Sequence, residues 1–159
     1  MAFDKGEIAG VEIRPLRRFS DERGWLTEVF RSDEVSPEIL PTMAYVSVTL
    51  PGMSRGPHEH QHQTDMFCFV GPGLFELWLW DNRPKSPTFE KSQVLRAGEE
   101  APFLVVIPPG VVHAYKNVGN GEAMVINLPN QLYKGRRRGD PVDEIRHEDD
   151  PMTPFKLEW

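Results

Sequence analysis

The chain has 159 residues, 39% of them apolar and 26% charged, with a net charge of −6. These values exclude a disordered chain and fit one domain with one core, spanning 1–159. The acidic balance argues against nucleic acid as the main partner, since phosphate neutralisation dominates that affinity, and no window approaches the ~20 continuous apolar residues that span a bilayer.

The N-terminus, Met-Ala-Phe-Asp-Lys-Gly-Glu, lacks the apolar run of a signal peptide. Period-2 alternation then dominates, and no 3.6-residue stripe competes with it. Strands are predicted at Val11 to Leu16, Trp25 to Phe30, Ala44 to Leu50, Met66 to Val70 and Leu74 to Trp80. Further strands are predicted at Phe89 to Leu95, Phe103 to Ile107, Val112 to Asn117 and Ala123 to Leu128. Turn signals separate them, among them Pro51-Gly52, Gly71-Pro72-Gly73 and Pro108-Pro109-Gly110. Short turns of helix are expected only near Ser32 to Leu40 and Asp140 to Glu144. Many short strands at this spacing predict an all-β barrel or jelly roll with little helix.

Two strands carry further expectations. Cys68, between Phe67 and Phe69, is the only cysteine; it reads as a buried inert thiol, and its solitude fits a reducing cytoplasm. Phe75, Leu77 and Leu79 alternate with Glu76, Trp78 and Trp80, so both faces of that strand are substantially apolar. A second subunit or an ordinary two-layer core would cover the second face, and a homodimer is the expected assembly. The run Lys134-Gly-Arg136-Arg137-Arg138 is either a solvated loop or a positive rim for an anionic substrate.

Four of the five histidines stand in two clusters. In an extended strand His58, His60 and His62 share one face, and a tight turn at Pro108 to Gly110 launches a strand with His113 and Tyr115 on one face. These clusters resemble the paired motifs of the cupins, with Gly52, His58, His60, Asp65 and Gly71 in the first and Pro108, Gly110, His113 and Asn117 in the second. The resemblance implies a cupin-type jelly-roll β-barrel. Three imidazoles and a carboxylate, His58, His60, His113 and Asp65, also suit a divalent metal; the alternative is a polar barrel mouth with solvated or mutually bonded histidines.

Longer segments resemble one family within that fold, the dTDP-4-dehydrorhamnose 3,5-epimerases and their sugar-nucleotide isomerase relatives. They are Phe19 to Phe30, Arg55-Gly56-Pro57-His58, Asp81 to Thr88 and Ile107 to His113. The resemblance runs from about Gly10 to Pro151. It implies a nucleotide-sugar substrate, no required cofactor, His58 as catalytic base, Arg23 and Arg55 on the diphosphate and sugar end, Glu28 on the nucleobase and His113 in the sugar pocket. A C4 ketone acidifies the protons at C3 and C5, which a neutral imidazole can remove.

The departures from the family pattern are specific. The family's enolate-stabilising lysine falls on Met66 or Asp65, and its general-acid tyrosine on Ile126. The chain stops at Trp159, before the segment in which the family keeps the aspartate that orients the base; Glu148, Asp149 and Asp150 are the nearby acids. Tyr115 is the candidate substitute for the missing tyrosine. Arg55-Gly-x-His58-x-His60 also resembles the 3,4-ketoisomerases of dTDP-4-keto-6-deoxyglucose, which use a His-x-His pair and place His60 among the catalytic candidates. Three functions therefore compete: a cofactor-free sugar-nucleotide epimerase or ketoisomerase, a metal-dependent cupin enzyme, and a non-catalytic sugar-nucleotide-binding cupin.

Overall fold

Residues 3–157 are described in the computed structural model, and they form two β-sheets laid face to face. The strands in chain order are β1 (Asp4–Lys5), β2 (Glu12–Pro15), β3 (Phe19–Asp21), β4 (Gly24–Leu26), β5 (Tyr45–Thr49), β6 (Ser54–Glu59) and β7 (Asp65–Phe69). They continue with β8 (Leu74–Asp81), β9 (Lys91–Gly98), β10 (Phe103–Ile107), β11 (Val111–Asn117), β12 (Ala123–Asn127) and β13 (Ile145–Arg146). One sheet has the order β1-β9-β8-β11-β6-β13 and the other β2-β10-β7-β12-β5, with β3 and β4 as a separate hairpin. Helix among the described residues is confined to 3₁₀ turns. No described helix is long and apolar enough to cross a membrane.

The packing explains why some strands read as apolar on both faces. Phe67 and Phe69 of β7, Phe75 and Leu77 of β8, and Val105 of β10 form the core between the sheets. Their alternate neighbours Met66, Cys68, Leu104 and Val106 point outward and are roofed by Val29, Phe30, Val35 and Leu40. Cys68 is fully buried there, and burial pushes its thiol up to about 12, as an inert core cysteine requires.

β8 corrects the expected motive for dimerisation. Its second face, Trp78 and Trp80, is covered by Phe3, Phe155 and Leu157 from the ends of the same chain. The exposed apolar surface lies elsewhere: Val46 and Val48 on the outer face of edge strand β5, with Leu50 and Met53 beyond it, and Trp25 and Leu26 on the β3–β4 hairpin.

Several local expectations are also corrected. The strand expected over Trp25 to Phe30 ends at Leu26, because Val29 and Phe30 turn in to roof β7 and β10. The segment from Asp140 to Glu144 contains no helix. It runs extended into β13, which pairs with β6 through Ile145 opposite Glu59 and Arg146 opposite His58. The histidine strand stops at Glu59, so His62 is exposed in the following turn and does not share the face of His58.

Candidate active site

At one end of the sandwich the apolar core gives way to a cavity of about 990 Å³, at the upper end of the range for ligand pockets. β5 supplies part of its wall by an inverted alternation: Tyr45 and Ser47 point in while Val46 and Val48 point out. β6 and β11 supply the opposite wall with Arg55, His58 and Tyr115. Lys134, Arg138 and Arg146 also line the cavity, which favours the positive-rim reading for part of the basic run.

The backbone at Gly56 sets up His58. Gly56 has φ +81°, and a Cβ there would lie 2.5 Å from the carbonyl oxygen of His113. Only glycine lets β6 approach β11 this closely, and His58 then pairs in register with His113. The two rings meet edge to face with centroids 4.5 Å apart. His113 itself is 1% exposed and lies behind His58, not in the cavity wall. The structure therefore places it one layer deeper than a sugar contact requires.

Asp65 organises the floor. Its Oδ2 stands 3.1 Å from His60 Nε2 and 3.3 Å from His113 Nε2. Its Oδ1 accepts hydrogen bonds from Gln63 Nε2 at 2.9 Å and Asn127 Nδ2 at 2.8 Å. Burial alone would raise this carboxyl, yet the imidazoles of His113 and His60 hold it far below the usual carboxylate range. His60 is tied at both nitrogens, since Nδ1 also bonds the carbonyl oxygen of Asp143. Burial disfavours its cation, but Asp65 outweighs that and raises its affinity for a proton.

The segment 143–149 brings in acids that the sequence did not place. Asp143 accepts backbone N–H bonds from Gln61, His62 and Gln63, which pins the segment over the end of β6. On its outer side His147 meets the buried carboxylate of Glu59 at 2.8 Å. Between these anchors, Glu144 and Glu148 reach 3.6 and 3.9 Å from His58 Nδ1. Burial would raise the Glu148 carboxyl, but the neighbouring His58 holds it below its ordinary value. His58 Nδ1, His113 Nε2 and Glu148 Oε2 are all buried without a hydrogen-bond partner.

The other sequence candidates divide. Arg55 and Tyr115 line the cavity; Arg55 bonds the carbonyl of Val48 and the hydroxyl of Thr49, and the Tyr115 hydroxyl donates to Ser47 at 3.4 Å. Arg23 and Glu28 are not in the wall within one chain. Arg23 is an exposed hairpin residue paired with Asp21, and Glu28 pairs with Arg31 beside a smaller cleft. Met66 and Ile126, where the family's lysine and tyrosine fall, both belong to the outer apolar layer.

Ligand atoms of His58, His60 and His113 lie within 4.8 Å of one another. His60 and His113 each direct Nδ1 at a backbone carbonyl, the arrangement that presents Nε2 as a metal ligand. Three imidazoles are a donor set that suits a first-row divalent ion, and Asp65 lies beside two of them without joining the converging group.

A jelly roll with a histidine-floored cavity at one end defines a cupin-type protein, and the comparisons narrow the class. The sequence profile of the family described as dTDP-4-dehydrorhamnose 3,5-epimerase matches residues 5–149. The chain is 38% identical over 127 residues to the probable low-salt glycan biosynthesis epimerase Agl13 of Haloferax volcanii, covering 79% of this chain and 81% of that protein. It is 32% identical over 139 residues to the spore coat polysaccharide biosynthesis protein SpsL of Bacillus subtilis, covering 87% and 88%. The crystal structure of a dTDP sugar isomerase from Desulfovibrio desulfuricans superposes with a TM-score of 0.79 at 27% identity, covering 94% of this chain and 91% of that one. This chain belongs to the dTDP-4-dehydrorhamnose 3,5-epimerase family.

Proposed function

We propose that the protein removes a proton beside the ketone of a nucleotide-linked 4-keto-6-deoxy sugar, with His58 as the base, and so acts as a sugar-nucleotide epimerase or ketoisomerase. One observation carries this reading: His58 lines the cavity while its Nδ1 faces the carboxylates of Glu144 and Glu148. That leaves Nε2 as the basic atom, and the imidazolium formed by proton capture is stabilised by the two acids behind it. His60, tied at both nitrogens, holds Asp65 and the floor in place. Arg55 supplies a cationic donor in the same wall for the diphosphate or the enolate oxygen.

The test is incubation with a dTDP-4-keto-6-deoxy sugar in deuterated water, with NMR at C3 and C5. Deuterium entry in the parent that falls by about 10²–10⁴-fold in His58→Asn, with the fold intact, is the expected result. No exchange in the parent, despite nucleotide binding, leaves a binding cupin as the function.

A second reading rests on the convergence of ring nitrogens from His58, His60 and His113. There His58, His60 and His113 would hold a divalent ion, which supplies a Lewis acid for a sugar oxygen. A chelator arm of the exchange experiment separates the two: loss restored by added metal makes His58 a ligand, since a nitrogen bound to metal is not free to act as base.

The expected roles of Arg23 and Glu28 require a second copy of the chain, because neither reaches its own cavity. The exposed apolar residues of β5 and the β3–β4 hairpin are the surface we assign to that homodimer, and Arg23 stands on this hairpin between β3 and β4. Calorimetry with dTDP should then show binding at least about tenfold weaker in Arg23→Ala. Equal affinity removes Arg23 from the site.

A further inference from the structure

Inversion at a carbon needs a base on one face of the sugar and an acid on the other, and the site as built so far has only the base. Three cavity-lining tyrosines are candidates for the acid: Tyr45, Tyr115 and Tyr133. Their positions in the fold distinguish them.

Tyr115 stands on β11, in the same sheet as His58 and on the strand next to it. Its ring crosses the interior, however, so that its hydroxyl ends at Ser47 of β5 in the facing sheet. It is 3% exposed, its ring packs edge-on against Phe67 and Phe75, and its hydroxyl hydrogen is directed at Ser47. Tyr133 belongs to a loop outside both sheets, with the Lys134 ammonium 5.7 Å over its ring.

Tyr45 stands on β5, in the facing sheet. A sugar ring held between the sheets presents one face to His58 and the other to Tyr45. The hydrogen-bond pattern also frees its proton. Asn127, directly opposite Tyr45 in the β5–β12 register, is 1% exposed and fully engaged. Its Oδ1 accepts from the Met66 N–H at 3.3 Å, and its Nδ2 donates to Asp65 Oδ1 at 2.8 Å and to the Tyr45 hydroxyl oxygen at 2.9 Å. The Met66 and Asp65 bonds forbid the flipped amide, so the phenol oxygen of Tyr45 must accept from Asn127. Its own hydrogen is left to donate into the cavity.

This placement also accounts for Ile126. The residue at the family's tyrosine position points into the outer apolar layer, and the inward residue at that rung of β12 is Asn127. The phenol is carried by the neighbouring strand instead.

We propose that Tyr45 is the general acid, delivering its phenolic proton to the sugar carbon from the face opposite His58. The inference rests on the reading of His58 as base. In the balanced step, His58 takes the proton from C3 or C5 and the C–H electron pair becomes the enolate. The enolate carbon then takes the Tyr45 proton on its other face, which leaves a phenolate hydrogen-bonded by Asn127. Water re-protonates Tyr45, and His58 returns its proton to water.

The experiment compares the parent, Tyr45→Phe, Tyr115→Phe and Tyr133→Phe in deuterated water, reading deuterium entry and epimer formation separately, with dTDP calorimetry as a fold control. Tyr45→Phe is expected to keep deuterium entry and dTDP affinity while epimer formation falls at least about a hundredfold, as loss of a general acid implies. In Tyr115→Phe and Tyr133→Phe any loss of epimer formation should be matched by an equal loss of deuterium entry; a selective loss of epimer formation in either overturns the assignment to Tyr45. Epimer formation at the parent rate in Tyr45→Phe overturns the proposal and leaves His58 standing. Equal loss of exchange and epimer formation in that variant overturns it too, as a binding or structural role. Absence of exchange in the parent brings down the base and the acid together.

Discussion

Two buried aspartates, each at the centre of a polar cluster, show how scaffold and site differ in this molecule. Asp81, with a fully buried side chain at the end of β8, is matched at both oxygens. Arg83 Nε and Nη2 donate to it at 2.7 and 2.9 Å, and the hydroxyls of Ser86 and Thr88 each donate at 2.6 Å. Arg83 also reaches the carbonyl of Ala9, so the cluster ties the N-terminal segment to the β8–β9 connection. Asp65 is as deeply buried, yet the histidine and glutamate cluster around it contains three orphaned atoms. A closed network holds the chain together; one left open at such atoms has capacity for a ligand or a proton.

The comparison breaks if mutations in the two clusters have the same kind of effect. Asp81→Asn should lower unfolding free energy by about 3 kcal/mol in urea titration, because Arg83 keeps its charge and loses its partner. Its deuterium exchange per folded molecule should match the parent. The paired change Glu144→Gln with Glu148→Gln should do the reverse. Exchange should fall about 10²-fold as the His58 imidazolium loses its support. Stability should fall only slightly, because Glu148, held below its ordinary value by His58, gives up a favoured ionised state and its pair with the exposed Arg146. Loss of stability without loss of exchange would make 143–149 a structural clamp only.

Acid titration sharpens the contrast on a smaller scale. Burial alone would raise the Asp81 carboxyl, but the hydrogen bonds from Arg83, Ser86 and Thr88 outweigh it and hold the pKa at about 2 against 3.8 when unfolded. A depressed carboxyl stabilises the fold fully above its unfolded pKa and loses that contribution as pH falls toward the folded one. Between pH about 4 and 2 the parent should therefore lose about 2 kcal/mol that Asp81→Asn has already lost. Melting curves of both proteins across that window should converge; parallel curves would remove Asp81 as an acid-sensitive group.

The barrel was legible in the sequence because alternation survives wherever one face meets the core and the other a roof. The turns at Gly71-Pro72-Gly73 and Pro108-Pro109-Gly110 mark the strand ends well, and β10 matches its expected bounds, Phe103 to Ile107. The limits lay where neighbours decide orientation. Tyr45-Val46-Ser47-Val48-Thr49 alternates cleanly, but which side faces in depends on knowing that this end of the interior is polar. Glu144 and Glu148 sit in a charged stretch without periodicity, and they reach His58 only because β13 pairs with β6. The apolar second face of β8 identified burial correctly, but alternation does not tell whether the cover comes from the same chain or another. The family resemblance singles out His58, the proposed base, by its motif, whereas the phenol proposed as acid stands on a different strand with no motif to mark it.

The segment that ends in Glu148 has one more consequence. Both acids facing His58 Nδ1, and the aspartate that pins them, are encoded between positions 143 and 148. A single short exchange of sequence there would alter the charge, reach and number of groups behind His58 while leaving the strands of both sheets other than β13 unchanged. The surroundings of His58 can thus diversify separately from the barrel, and a graft of a few residues between homologues would transplant them.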